Sequence, residues 1–208
     1  AWIELDRLNH QVKVHIANSA DGMIEAVEDY QPDLIIAPYL KKSIPQIILK
    51  NFTCFIIHPG PPGDRGASSL DWALLKEKTM WGVTILQAVK ELDGGPIWAY
   101  EMFKMRQASK SCLYRHEVTQ CAMKALIEAV IKFESGSYEP IPQHDLHGEH
   151  FGHWNRKTTE DDFSFTWMER TQDIVRKINA ADSSPGALCT ILGKEFYAYG
   201  AVAEENIT

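Results

Sequence analysis

A stretch of nine residues rich in proline and glycine, His58 to Gly66, most constrains what this chain can fold into. Its sequence is HPGPPGDRG, and it directly follows the apolar run CFII at positions 54–57. Proline lacks a backbone N–H and glycine adopts unusual backbone angles, so this stretch can be neither helix nor strand. The apolar run is typical of a strand buried on both faces. We therefore predict a shaped loop at the end of a buried strand, where open α/β sheets place their ligands.

Short apolar runs alternate with helical patterns along the first part of the chain. Strands are predicted at 34–37, 54–57, 81–89 and 96–105, helices at 44–49 and from position 70, and a closing amphipathic helix at 111–133. Strands separated by helices about ten residues long are typical of βαβ units. The pattern predicts an α/β domain with a mostly parallel sheet covered on both faces.

The amino-acid composition of the chain changes after residue 134. Residues 135–158 are rich in Gly, Pro and His, which predicts a linker or a long ordered crossing segment. Residues 159–208 contain one short helix and two strand-like runs around Gly193, and they are marginal as an independent domain. The predicted organisation is an N-terminal domain at 1–134, a linker at 135–158 and a partial C-terminal domain at 159–208.

The net charge, the apolar runs and the cysteines argue against several classes of function. The formal net charge is −7, and no basic stripe offsets it, which argues against nucleic acid as a primary partner. The apolar runs are far shorter than the roughly 20 residues that cross a bilayer. The four cysteines are scattered without a CxxC pair, which predicts a reducing, cytoplasmic compartment. No Gly-rich dinucleotide or phosphate-loop motif is present.

His58 and Asp93 are the residues best placed for proton chemistry. His58 directly follows a predicted strand, and imidazole exchanges protons near neutral pH. Asp93 lies in the connection between the next two strands, beside Gly94 and Gly95, which let backbone approach a ligand. If those strands are neighbours, the two side chains converge at one rim of the sheet. The alternative is that His58 caps a loop and Asp93 fixes a turn.

Four histidines recur at every third position between glycine and proline residues: His144, His147, His150 and His153. Zinc accepts imidazole ligands, so a metal site is one interpretation. An extended loop with this spacing does not bring four rings to one ion. We therefore expect a solvated or loop-ordering role and no metal.

Four spaced motifs together resemble the folate-dependent formyltransferase family: IHP at 57–59, RG at 65–66, GVT at 82–84 and LDGGPI at 92–97. The longer match HPGPPGDRG, followed by SSLDWA at 68–73, most resembles the formyltransferase half of HypX-type hydrogenase maturation factors. The general resemblance covers most of residues 12–134. It implies a Rossmann-like sheet and the transfer of a formyl group from 10-formyltetrahydrofolate to an acceptor or to water.

The resemblance also implies a catalytic Asn–His–Asp set, of which this sequence keeps two members. The histidine falls on His58 and the aspartate on Asp93, whereas the asparagine position holds Ile56. That asparagine donates a hydrogen bond to the formyl oxygen as it becomes an oxyanion, and isoleucine has no donor. Oxyanion stabilisation must then come from His58, backbone N–H groups or water. We expect a site retuned for a different acceptor.

In the family, backbone groups of two segments hold the pterin ring. They correspond here to Pro38, Tyr39 and Leu40 in the first segment and to Val89, Glu91 and Leu92 in the second. Leu40 as a plain core residue is the alternative. A guanidinium suits anions, so Arg65 is expected at a glutamate tail or an acceptor phosphate, unless it is a solvated loop residue.

For the HypX-type resemblance the implied acceptor is coenzyme A, in a pathway that supplies carbon monoxide to a hydrogenase metal centre. The alternatives are an amine acceptor, hydrolysis of 10-formyltetrahydrofolate, or a folate-binding module without turnover. The family's first strand has no counterpart before Ala1, and its second domain and the hydratase-like half have no full counterpart either. The expectation is therefore a piece of a longer chain.

Overall fold

The computed structural model describes residues 1–38, 40 and 42–204 as alternating helices and strands. The helices are α1 (Trp2–Arg7), α2 (Ala20–Tyr30), α3 (Gln46–Asn51), α4 (Ser69–Leu75), α5 (Lys110–Leu113), α6 (Thr119–Glu134), α7 (Glu160–Phe163) and α8 (Thr171–Ala181). The strands are β1 (Leu34–Pro38), β2 (Thr53–His58), β3 (Met80–Gln87), β4 (Ile97–Lys104), β5 (Ala187–Ile191) and β6 (Lys194–Ala198). The predicted α/β class is confirmed. No helix within the described ranges is both long and apolar enough to span a bilayer.

The first four strands form one sheet in the order β1-β2-β3-β4, and β5 pairs with β6 in a separate hairpin. Parallel pairing, which the apolar runs predicted, is found between β1 and β2. In the described residues β3 is antiparallel to both β2 and β4. Only residues 88–96 join β3 to β4, and a parallel crossover needs a dozen residues or more. In the antiparallel β2–β3 pair, His58 at the end of β2 lies opposite Thr84, and Gln87 at the end of β3 lies opposite Phe55.

The largest apolar core lies between the sheet and α6. Helix α6 buries small and apolar residues at three- and four-residue spacing, which places them on one face: Cys121, Ala122, Ala125, Leu126, Ala129 and Val130. This face packs with fully buried strand residues such as Phe55, Val83 and Ile85. The rings of Phe55 and Trp98 add an aromatic contact, with centroids 5.1 Å apart. Strands β2 and β3 are therefore anchored along their length.

A smaller apolar cluster covers the other side of the sheet. Met23 from α2 and Ile48 from α3 pack there against Cys54 of β2. Helix α2 begins at a favourable cap, since the side chain of Ser19 accepts a hydrogen bond from the backbone N–H of Gly22. Burial raises the pKa of the Cys54 thiol to about 11, so this cysteine is a protonated core residue.

Residues 135–158, here called the crossing segment, run back along the sheet. Ile97 and Ile141 form an isolated antiparallel bridge with N···O distances of 2.7 and 2.9 Å. The Gln143 side chain donates to the backbone oxygens of Asp93 and Gly95, at 2.7 and 2.8 Å. Of the two alternatives left by the sequence, the ordered crossing matches these contacts.

The final elements, residues 159–204, are called here the C-terminal unit. They enclose a small apolar cluster made of Phe165, Ile174, Ile178, Ala181, Ala187 and Cys189. The carboxylate of Asp182 accepts hydrogen bonds from the backbone N–H and the hydroxyl of Ser111, at 2.6 and 3.1 Å. This contact fixes the end of α8 to the beginning of α5.

Candidate functional site

The Pro–Gly loop folds back on the end of β2 as the sequence predicted. Gly63 and Gly66 have φ values of +83° and +116°, which glycine adopts without strain. At Gly60 a Cβ atom would lie 2.3 Å from Asp64 Oδ2 and 2.6 Å from His58 Nε2. The loop can therefore bring a carboxylate onto the His58 ring only because position 60 has no side chain.

His58 lies between two carboxylates. Its side chain is 4% exposed, and its Nε2 lies 2.9 Å from Asp64 Oδ2. Its Nδ1 lies on the Asp93 side, 3.6 Å from Oδ1 of that residue. The structure thus brings together the two residues that the sequence selected for proton chemistry, from loops more than thirty positions apart.

Asp93 is positioned from two directions. Its Oδ2 accepts a hydrogen bond of 3.0 Å from the backbone N–H of Gly66, and its backbone oxygen is held by Gln143. Its φ of +50° is left-handed, a conformation that aspartate tolerates better than most residues. Behind it, a Cβ on Gly95 would lie 1.7 Å from the backbone oxygen of Gln87, so the turn requires glycine there.

Asp64 belongs to the site, although the sequence analysis did not select it. Its side chain is fully buried, and its Oδ1 accepts a 3.5 Å hydrogen bond from the Asn155 side chain. The backbone of the crossing segment packs directly against Asp64, since a Cβ on Gly152 would lie 2.3 Å from Asp64 Cβ. The available signal was a carboxylate six residues after His58 inside the same constrained loop.

An open cleft of about 440 Å³ lies beside these groups. Its lining residues are Leu40, Lys42, Ser43, Ile44, Gln46, Leu49, Ile56, Leu86, Gln87, Ala88, Val89, Lys90, Glu91, Leu92, Asp93, Gly94 and Gly95. Of the residues expected to bind folate, Leu40, Val89, Glu91 and Leu92 line it, Pro38 does not, and Tyr39 lies outside the described residues. His58 is not a lining residue either, and it contacts the lining through Asp93.

The floor of the cleft is apolar where the resemblance expects an amide. Ile56 lines it beside Leu86, its cross-strand partner, and neither side chain carries a hydrogen-bond donor. Arg65 forms an ion pair with Glu91 at 2.5 Å, which joins the Pro–Gly loop to the cleft rim. Through this ion pair the guanidinium lies next to Glu91, a lining residue of the cleft.

The recurring histidines of the crossing segment do not converge. Among the described residues no group of three or more His, Cys, Asp or Glu side chains is arranged to hold a metal ion. His153 instead lies against Lys76, with Nε2 and Nζ 3.4 Å apart.

A buried histidine–carboxylate set at the mouth of a cleft, on this α/β sheet, is an arrangement suited to group transfer. Residues 10–130 match the family described as Formyl transferase. The chain is 40% identical over 207 residues to "Hydrogenase maturation factor HoxX" of Bradyrhizobium diazoefficiens, which covers 99% of this chain and 36% of that protein. The chain therefore belongs to the formyl transferase family. It spans about a third of the length of this relative.

Solved structures agree with the sequence match. A crystal structure of a HypX variant from Aquifex aeolicus has a TM-score of 0.90 and 43% identity, covering 99% of this chain and 37% of that one. A second structure, HypX from Aquifex aeolicus in complex with tetrahydrofolic acid, has a TM-score of 0.87 and covers 96% of this chain and 34% of that one, also at 43% identity. Methionyl-tRNA formyltransferase from Clostridium thermocellum shares the fold, with a TM-score of 0.74 at 16% identity over 99% of this chain and 88% of that one.

Proposed function

We propose that this chain transfers a formyl group from 10-formyltetrahydrofolate to an acceptor, with His58 and Asp93 as the catalytic residues. One observation carries the proposal. The imidazole and the carboxylate face each other at 3.6 Å, and Asp93 lines the cleft. General acid–base work requires this kind of proximity before any question of proton affinity arises.

The donor is proposed to bind in the cleft. Its volume of about 440 Å³ is within the usual range for small-molecule sites. The backbone of Leu40 and of the 89–93 loop offers peptide groups to a pterin ring, with Pro38 and Tyr39 as further proposed contacts. The complex of HypX with tetrahydrofolic acid supports a folate ligand for a chain of this type.

The proposed reaction conserves atoms and protons. The acceptor attacks the formyl carbon, the carbonyl oxygen becomes an oxyanion, and a tetrahedral intermediate forms. The bond from that carbon to N10 of the folate then breaks. The proton lost by the acceptor passes to the His58–Asp93 pair and from there to N10, which leaves as tetrahydrofolate. The products are the formylated acceptor and tetrahydrofolate.

Coenzyme A is the proposed acceptor, and hydrogenase maturation is the proposed setting. The relative named as a hydrogenase maturation factor and the HypX structures support the setting. Ile56 stands where the family is expected to have an asparagine, and this difference supports an acceptor other than the usual one of the family. Arg65 at the rim would contact an anionic group of the donor or the acceptor, in exchange for Glu91. We also propose a cytoplasmic location and the organisation 1–134, 135–158 and 159–208.

Ile56 also favours a second candidate, a folate-binding module without turnover. Losing one oxyanion donor costs roughly a hundred-fold or more in other enzymes. Transfer to an amine, or hydrolysis of the donor, is the corresponding enzymatic alternative.

The test is to incubate the chain with 10-formyltetrahydrofolate, with and without coenzyme A, and to follow tetrahydrofolate release. We expect release that depends on coenzyme A and is lost in His58→Ala. The matched control is His147→Ala, an exposed histidine of the crossing segment that should keep the full rate. Release without any acceptor would indicate hydrolysis. Binding without release, unaffected by His58→Ala, would support the module.

A second experiment addresses the missing amide. Ile56→Asn returns a donor to the family position on the cleft floor. If the site is retuned, this variant should alter the rate and shift the preference between thiol and amine acceptors. An unchanged rate with both acceptors would contradict retuning.

A further inference from the structure

The second carboxylate on His58 is closer than the proposed catalytic one. Asp64 Oδ2 lies 2.9 Å from Nε2, which is a hydrogen-bond distance, whereas Asp93 Oδ1 lies 3.6 Å from Nδ1. Asp64 is also the more buried of the two, with a fully buried side chain against 11% exposure for Asp93. The two ring nitrogens are therefore in different surroundings.

The chemistry of the closer contact fixes the position of a proton. An ionised carboxylate only accepts hydrogen bonds, so a contact with ionised Asp64 requires a proton on Nε2. Without that proton two acceptors would lie 2.9 Å apart in a buried site, with no compensating donor between them. The nitrogen left to exchange a proton is Nδ1, which is on the side of Asp93.

The surrounding loop is built to hold this contact. The Ser69 hydroxyl donates to the backbone oxygen of Pro59, and the Thr84 hydroxyl donates to that of Gly60, each at 2.7 Å. Both bonds hold the loop at the point where Gly60 leaves space for the carboxylate. Backbone hydrogen bonds from the crossing segment close the other side, including Gly152 N–H to the Pro62 oxygen at 2.9 Å.

We infer that Asp64 is a positioning residue for His58: it holds the ring proton on Nε2 and so directs Nδ1 towards Asp93 and the cleft. This inference rests on the proposed function for its effect on rate, and on the hydrogen-bond geometry alone for the proton position. With Ile56 in place of an amide the site lacks one side-chain donor, so the proton exchange at His58 Nδ1, and hence the orientation of the ring, carries more of the catalysis.

The test is nitrogen NMR of the histidine rings at neutral pH, in wild type and in Asp64→Asn. The His58 signals are assigned by their loss in His58→Gln. In wild type we expect Nε2 to carry a proton. In Asp64→Asn the neutral amide is a weaker acceptor than a carboxylate and can also donate to Nε2, so the ring proton should shift from Nε2 towards Nδ1. Formyl transfer should then fall by about a hundred-fold to ten-thousand-fold in kcat, with folate affinity changed less than about three-fold.

Each outcome is decisive. An unprotonated Nε2 in wild type overturns the inference even if Asp64→Asn fails to fold. An unchanged proton distribution between Nε2 and Nδ1 in folded Asp64→Asn overturns it as well, and so does a shifted proton with an unchanged rate. Because the wild-type spectrum needs no turnover, a chain that lacks formyl transfer but has Nε2 protonated would contradict the proposed function and leave the proton position supported.

The matched control is Asp145→Asn. Asp145 is an exposed carboxylate on the crossing segment, and its conversion to an amide repeats the same charge change. We expect the His58 signals, the rate and the folate affinity to stay at their wild-type values. A comparable loss of rate in this control would show that net charge, rather than the contact with His58, causes the effect.

Discussion

The loop around His58 and the C-terminal unit use polar groups in opposite ways. Around His58 the charged groups are buried, and backbone hydrogen bonds fix the loops that carry them. The C-terminal unit has ion pairs that reach the surface, such as Arg170–Asp173, and exposes large apolar side chains, with Met168 95% and Leu192 99% exposed. Buried charges are costly unless they are held rigidly, and rigidity follows from a large apolar core. Only the first region has one.

The energetic difference follows from what each region buries. The core under β2 and β3 joins the sheet to α6 over many fully buried side chains. The C-terminal unit has a small cluster and an isolated two-stranded hairpin, which is marginal by itself. Surface ion pairs such as Arg170–Asp173 add little to stability, because solvent screens them. We therefore expect the C-terminal unit to open before the sheet.

Asp93→Asn is expected to have the largest effect, and it acts on rate. Asparagine tolerates the left-handed φ at this position and can still accept from Gly66 N–H, so the fold should persist. The lost carboxylate removes the proton partner of His58, and tetrahydrofolate release should fall by about a hundred-fold to ten-thousand-fold. Release kinetics and the melting temperature are measured on the same sample. A wild-type rate in a folded variant would mean that Asp93 only shapes a turn.

Leu126→Ala tests the core that supports the site. Leu126 is fully buried in α6, so the substitution removes apolar contacts and leaves a cavity. The free energy of unfolding should fall by about 2–5 kcal/mol in denaturant titration. A loss of less than about 1 kcal/mol would contradict the assignment of this core as the main source of rigidity. The exposed neighbour Ile131→Ala is the control, with a much smaller loss expected.

The meeting of His58 and Asp93 was predicted from their places after two neighbouring strands, a rule that holds for parallel strands. Because β2 and β3 run antiparallel, the contact instead depends on the 88–96 connection folding back towards His58, where the Gly66 N–H donates to Asp93. Whether neighbouring strands run parallel or antiparallel was harder to predict from the sequence. The apolar runs alone favour parallel strands, whereas the short β3–β4 connection forces antiparallel ones.

Asp64 could not be placed from sequence, because its position depends on contacts distant along the chain. Gly60 permits the approach to His58, and Gly152 and Asn155, about ninety residues later, close over it. Sequence patterns describe local periodicity and report such long-range packing poorly. For the same reason the sequence could not decide whether residues 135–158 are a linker or an ordered crossing segment.

Ile178→Ala is expected to act on the C-terminal unit alone. Ile178 is buried in the small cluster, and its truncation should destabilise that unit by about 2 kcal/mol, the lower end of the usual range. Hydrogen exchange should then quicken in α8 and β5 while α6 stays protected. Equal acceleration of exchange in α6 would show that the two regions unfold together and do not differ in local stability.

The smallest expected effect is the response of α7 to acid. The Arg156 side chain and the backbone and side chain of Thr159 donate to Asp162 and lower its pKa to about 2. A lowered pKa in the folded state stabilises it above the unfolded value of about 4, and this contribution is lost as the pH falls from 4 to 2. For a surface pair it amounts to about 1 kcal/mol or less. The protection of α7 amides from hydrogen exchange, measured relative to the intrinsic rate at each pH, should fall over that window in wild type. It should be low throughout in Asp162→Asn and as in wild type in Asp161→Asn. If α7 in Asp162→Asn retained the wild-type acid response, another carboxylate would be holding the start of the C-terminal unit.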